Sequence, residues 1–236
     1  MLRWFKFAPP VLKKVQPKET GLDGMAEEIA PGVFLLSLPE PSCNAYFLKE
    51  GKAVVDPGMS DAGVLEKELG RAGSSRGEVR AVFLTHCHLD HVFNLKWLEN
   101  AVVYCGAETL EALRGRKEAL FPEIEFELPK NKVVVVKDGQ KIRVGGSAFK
   151  CFAAPGHTRD SACFLKKASG ILFSGDALFP TASSGALPRI FEGGSAVELR
   201  RTYEKLEKSG ARALASGHYP FSGEFGKEIR AAIRLL

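Results

Sequence analysis

No stretch of this chain approaches the roughly 18 consecutive apolar residues that a membrane-crossing helix requires. Short apolar runs such as Val33–Leu36 and Val133–Val136 read as strands instead. Residues 1–20 hold scattered Arg and Lys without a continuous apolar stretch, so no secretory leader is expected. An excess of one charge is also missing. The 33 basic and 28 acidic residues leave a formal charge of +5, spread along the chain. Basic residues form only pairs such as Lys166–Lys167 and Arg200–Arg201, where a nucleic-acid-binding protein would carry a stripe. Cysteine is scarce: five residues, an odd number, with no C-x-x-C spacing. Reduced thiols in a cytoplasmic protein are the expectation. There is no internal repeat or low-complexity tract. A chain of 236 residues, 45% hydrophobic and 26% charged, is neither collagenous, coiled-coil nor disordered, and its length suits one domain.

Histidine is also sparse, and its placement is informative. Of five histidines, three fall in Thr85-His86-Cys87-His88-Leu89-Asp90-His91. The others lie in Pro155-Gly156-His157-Thr158 and Ser216-Gly217-His218. Each group follows an apolar, strand-like feeder: Val79–Leu84, Ala148–Ala153 and Ala211–Ala215. Two aspartates repeat the pattern. Asp176 follows Ile171-Leu172-Phe173-Ser174-Gly175, and Asp56 follows Ala53-Val54-Val55. In α/β proteins, sites gather at the carboxyl ends of strands, where distant segments converge. Imidazole and carboxylate together suit zinc or iron.

His86 and His88 are two apart, so extended backbone projects them to one side and sends Cys87 to the other. Cys87 therefore reads as a packed thiol. Asp90 and His91 come where apolar spacing over Val92–Leu98 predicts a helix. Asp90 fits either a ligand or an N-cap. Seven candidate ligands result: His86, His88, Asp90, His91, His157, Asp176 and His218. A catalytic zinc takes about three protein ligands plus water. Seven exceed two such sets by one unless a carboxylate bridges, which points to two cations sharing Asp176.

The blocks His-x-His-x-Asp-His, Pro-Gly-His-Thr, Ser-Gly-Asp and Ser-Gly-His, in that order, resemble the metallo-β-lactamase-fold superfamily over about residues 28–222. The resemblance implies an α/β (α+β) fold, a four-layer αβ/βα sandwich of two mixed β-sheets flanked by helices. It implies that His86, His88 and His157 hold one cation, that Asp90, His91 and His218 hold a second, and that Asp176 bridges them. It casts Asp56 as a buried strand-end aspartate supporting a ligand; a plain turn residue before Pro57-Gly58 is the alternative. The cofactors implied are two divalent metal ions, zinc foremost, with iron or manganese as alternatives. Asp176–Phe179 followed by Leu187–Ser195 resembles the glyoxalase II-like hydrolases, or a lactonase-like branch, without the C-terminal domain of the glyoxalases.

The activity expected from that resemblance is hydrolysis of a thioester, lactone or related ester by a hydroxide held between two cations, with Asp90 accepting and returning the proton. A phosphodiesterase and a mononuclear-iron persulfide dioxygenase-like enzyme are the alternatives. The expected partner is a small-molecule substrate, with neither nucleic acid nor membrane, and a homodimer is open. Phe179–Gly194 reads as a lid. Arg189 is its one cation and suits either an anionic substrate group or the surface. Tyr219 suits either an oxyanion donor or a core aromatic.

Residues 1–26 read as an extension preceding a domain over 27–236. Arg3–Phe7 within it suits an added strand, an oligomer contact or a docked or frayed terminus. Helices are expected at Asp61–Gly73, Ala107–Leu120, Ser195–Ser209 and 224–236. Strands are expected at Lys132–Lys137, Lys141–Val144 and Ala148–Ala153, joined by Asp138-Gly139 and Gly145-Gly146 turns.

Overall fold

The computed structural model describes residues 26–115, 130–191 and 193–236. Arg3–Phe7, and the part of the Ala107–Leu120 helix beyond residue 115, lie outside them.

Two mixed sheets form the centre of the molecule. Sheet one runs β1 (Glu27–Ala30), β2 (Val33–Leu36), β3 (Ala45–Leu48), β4 (Ala53–Val55), β5 (Ala81–Phe83), β6 (Val102–Cys105) and β7 (Val133–Val135), in that order. Neighbours from β1 to β4 are antiparallel, and those from β4 to β7 are parallel. Sheet two runs β12 (Ala213–Ser216), β11 (Ile171–Gly175), β10 (Ala162–Lys166), β9 (Ser147–Ala153) and β8 (Lys141–Val144). Only β11 and β12 pair in parallel there. Parallel neighbours need a crossover, and helices supply it. Helix α1 (Ala62–Arg71) joins β4 to β5, α3 (Ala107–Gly115) follows β6, and α5 (Ala196–Glu207) lies between β11 and β12.

Strand side chains alternate faces, and in β3, β4, β5, β10, β11 and β12 both faces are buried. Val54 and Val82 join Leu65 and Leu69 of α1 in one core. Their strand neighbours Ala53, Val55, Ala81 and Phe83 meet Phe149, Phe164 and Phe173 in a second core between the sheets. On the far side, Cys163, Leu165, Leu172 and Leu214 pack against Leu199 and Tyr203 of α5 and Ile229 of α6 (Phe225–Leu235). Three cores separate four layers, which is the αβ/βα sandwich. Burial on both faces is also why these strands read as unbroken apolar runs.

The helices begin and end where local chemistry directs. Asp61 caps α1, its carboxylate accepting from Val64 N at 3.0 Å. Ser195 caps α5 by accepting from Glu198 N at 3.1 Å. The β8–β9 hairpin turns at Gly145-Gly146. The helix expected over Val92–Leu98 is different. A single α-turn, α2 (Leu89–Val92), gives way to a 3-10 run over Phe93–Trp97. Asn94 N donates to Gly58 O at 2.9 Å, outside the helix, so the ladder is diverted there. Asp90 lies inside α2 rather than at its cap, which His88 occupies. Among the described residues no helix is long and apolar enough to cross a membrane.

Candidate metal centre

Strand direction explains why the candidate ligands meet. β9 and β11 both pair antiparallel with β10, so they run the same way, and β12 runs with β11. Their carboxyl ends therefore reach one edge of sheet two, followed by His157, Asp176 and His218. β4 and β5 run together in sheet one and lead to Asp56 and the His86–His91 segment.

The seven residues form three overlapping groups, each with donor atoms within 4.8 Å of one another: His86, His88 and His157; His86, His91 and Asp176; Asp90, His91 and His218. In the first group, His86 Nε2 and His157 Nε2 lie 3.0 and 3.2 Å from His88 Nδ1. Tetrahedral nitrogen ligands at zinc bond lengths would sit about 3.4 Å apart. Asp176 reaches the other groups. Its Oδ2 is 3.7 Å from His157 Nε2 and 3.4 Å from His218 Nε2, and its Oδ1 is 3.5 Å from His91 Nε2. Asp90 Oδ2 is 3.1 Å from His218 Nε2.

Hydrogen bonds on the outward nitrogens assign the tautomers. Thr85 Oγ1 donates to Asp56 Oδ2 at 2.6 Å, so it must accept from His86 Nδ1 at 3.0 Å. His157 Nδ1 donates to the carbonyl of Arg189 at 2.6 Å. His91 Nδ1 donates to Asp56 Oδ2 at 2.9 Å. The Nε2 lone pairs of His86 and His157 therefore converge on His88 Nδ1, which carries at most one proton. His91 Nε2 and Asp176 Oδ1, 3.5 Å apart, are buried without a hydrogen-bond partner. Buried polar atoms are normally satisfied. Burial opposes protonation of His91, but the surrounding acidic groups overcome it and raise the imidazole well above its ordinary range, so positive charge is favoured here, as a proton or as a metal ion. The donor set fits a divalent cation of the zinc or iron type.

The charge balance differs across the cluster. Burial, followed by the adjacent imidazoles, holds His86 well below its ordinary range and lowers His88 to about 4. Burial lowers His157 as well. Burial also opposes protonation at His218, but Asp176 and Asp90 outweigh it and lift that imidazole to about 9. At Asp176 burial opposes the charge, and His91 and His218 overcome it to hold the carboxyl well below its usual range.

Asp56 lies directly behind the cluster, taking Thr85 N at 2.8 Å as well as its hydroxyl. Its backbone has φ +47°, a left-handed conformation that aspartate tolerates better than most residues. Cys87 is buried in the core behind the histidines, as the alternation predicts. Arg189 meets the cluster through its carbonyl, while the residue is exposed. Tyr219 packs against Phe179 at a tilt of 49° with centroids 4.7 Å apart, beside His218.

Several contributors gave little sequence signal. Phe191 places its ring 4.9 Å from His88 and 5.1 Å from His157. Asn44 Nδ2 donates to the carbonyls of Ser216 and Tyr219, at 3.0 and 2.8 Å, across the His218 loop. Gly217 is required by close approach: a Cβ there would collide with Asp176 Oδ1 and His91 Cε1. The glycine in Ser216-Gly217-His218 was legible, but its reason was not.

A four-layer αβ/βα sandwich with a His/Asp cluster at its strand ends defines the metallo-β-lactamase-fold class. The family model of the metallo-beta-lactamase superfamily matches residues 38–218, and the chain belongs to that superfamily. The chain is similar to an uncharacterized protein of Mycobacterium tuberculosis, 31% identical over 160 residues, covering 60% of this chain and 70% of the relative. Among solved structures, it is similar to a metallo-beta-lactamase family protein from Thermus thermophilus. The TM-score is 0.73 at 23% identity, covering 88% of this chain and 80% of that one. It is also similar to the B3 metallo-beta-lactamase BLEG-1, with a TM-score of 0.70 at 26% identity, covering 86% and 99%. A structure described as TTHA1623 in a di-iron-bound form has a TM-score of 0.65 at 23% identity, covering 86% and 100%. Members of the superfamily are mostly hydrolases or related enzymes that bind divalent metals.

Proposed function

We propose that this chain is a dinuclear metal-dependent hydrolase of a thioester, lactone or related ester, of the glyoxalase II-like or lactonase-like branch. His86, His88 and His157 would hold one cation, Asp90, His91 and His218 the other, and Asp176 would serve both. The convergence of the His86 and His157 lone pairs on His88 Nδ1 supports the first cation, and the unpartnered His91 Nε2 and Asp176 Oδ1 support the second. When bound, such cations lower the pKa of a water toward about 7 and polarise a carbonyl oxygen. Zinc is the ion proposed, and the iron-bound relative keeps iron in view.

The chain's own residues orient and transfer protons. Thr85, Asp56 and the Arg189 carbonyl fix three imidazoles with their lone pairs inward. Asp90 accepts the proton of the attacking water and returns it to the leaving thiolate or alkoxide; its Oδ1 is buried without a partner. Phe191 screens the His88 and His157 side from water. The exposed Arg189 guanidinium suits an anionic group on a small substrate, and Tyr219 an oxyanion. We place the enzyme in the cytoplasm.

Elemental analysis of the purified protein, with a panel of thioesters, lactones and phosphodiesters, tests this. The expected result is about two equivalents of metal and turnover of S-lactoylglutathione or a lactone. His88→Ala should lose most of both. Turnover without detectable metal overturns the proposal. Preference for bis(p-nitrophenyl) phosphate would make the protein a phosphodiesterase. A single iron with oxygen uptake would make it a persulfide dioxygenase-like enzyme.

A further inference from the structure

Three of the cluster's histidines are oriented by a hydrogen bond on Nδ1: His86, His91 and His157. Among the described residues His218 has no such bond. Its side chain is 33% exposed, whereas that of His91 is fully buried. The direction of the His218 ring therefore depends on the backbone of its loop. Asn44 holds that loop from sheet one. From the other side it meets Glu228 of α6.

Glu228 is only 2% exposed, and its carboxylate takes three neutral donors. Oε2 accepts from Ala182 N at 2.6 Å, and Oε1 accepts from Ser183 Oγ and Ser222 Oγ, each at 3.0 Å. Ala182 and Ser183 belong to the short helix α4 (Thr181–Ser184), shortly after Asp176. Ser222 follows His218 in the same loop. A cleft of about 370 Å³, lined in part by Pro180, Ser183, Pro220 and Phe221, lies between these two segments, and Glu228 reaches across it. Burying a carboxylate is costly unless its oxygens are satisfied, and an apolar side chain would fill the same space at less cost. What the carboxylate adds is a fixed distance between the two segments. Those segments also carry the tilted pair Phe179 and Tyr219, and Phe179 meets His218 edge-on with centroids 6.5 Å apart.

We propose that Glu228 is a positioning residue for the His218 half of the centre, tying the segment after Asp176 to the segment after His218. The inference rests on the dinuclear reading above. Zinc binding to the metal-free full-length protein, measured by chelator competition, tests it for Glu228→Ala and Glu228→Gln. In Glu228→Ala the first equivalent should bind as in the unaltered protein. The second should weaken by up to about tenfold, the lower bound for losing a partner bonded directly to a metal ligand, since Glu228 acts through the loop. Glu228→Gln, which keeps one acceptor oxygen, should fall between. If Glu228→Ala does not fold, Ser222→Ala removes one of the three bonds and should weaken the second equivalent alone. Turnover should follow, with kcat falling more than KM rises. Unchanged binding of both equivalents in the folded variants, or equal weakening of both, overturns the proposal while leaving two metals in place. Fewer than two equivalents in the unaltered protein overturns the dinuclear reading itself, and this proposal with it.

Discussion

The two sheets build their shares of the centre in opposite ways. Sheet one delivers His86, His88, Asp90 and His91 from one short run after β5, braced by the buried side chains of Asp56 and Thr85. Sheet two delivers His157, Asp176 and His218 singly, one after each of three strand ends. Separate contacts hold these: the Arg189 carbonyl behind His157, the bare Gly217 against Asp176, and the Asn44 side-chain amide bonded to the loop carbonyls beside His218. A share held by a polar side-chain network should break when one polar group is deleted. Where a carbonyl or a bare glycine holds a ligand, a change of shape should break it.

The variant expected to do most damage breaks the comparison, because Asp176 touches both shares. Asp176→Ala should cost most of both metal equivalents by elemental analysis, and full retention of either would show that the carboxylate is not shared. Gly217→Ala comes next. It adds no polar change, yet its methyl displaces Asp176 and His91, so metal content and melting temperature should fall together; an unaltered metal content would refute the shape argument. Asp56→Ala tests the sheet-one network. It strands Thr85 N, Thr85 Oγ1 and His91 Nδ1 without their acceptor. A stability loss of about 3 kcal/mol in denaturant unfolding is expected, with metal affinity lower by roughly 10–100-fold. A loss within error would show that water replaces the carboxylate. The smallest effect sharpens the comparison. Arg189→Ala should leave metal content unchanged, since a carbonyl and not the guanidinium holds His157, while KM for an anionic thioester rises. Loss of metal in that variant would show that the side chain supports the site after all.

The same division decides what the sequence made legible. The run His86–His91 is local, and its spacing alone marked it as ligand chemistry. The strand-end positions of His157, Asp176, His218 and Asp56 were readable because apolar feeders precede each of them. The four layers were legible only through the resemblance of the four motif blocks to the superfamily, with which the unbroken feeders agree. What escaped was whatever a distant segment contributes, through its backbone or through a side chain with no local signature. Asn44 and the Arg189 carbonyl have no residue-type signature, because any residue offers a main-chain carbonyl and Asn44 lies far from the segment it binds. The 3-10 run after α2 was missed for a related reason. Its apolar spacing is helical, but a bond from Asn94 N to Gly58 O, a residue remote in sequence, overrides local preference.

One oxygen, Asp56 Oδ2, serves imidazoles assigned to different cations: His91 directly, and His86 through the Thr85 hydroxyl. Under the dinuclear reading proposed above, a cation at either position would withdraw electron density from its ring and make that ring's outer N–H a stronger donor. The shared anchor would then be drawn toward the loaded side, and the imidazole opposite would become a poorer base. The two positions would communicate through a carboxylate that itself holds neither cation, so retuning the metal preference of one should shift the other as well.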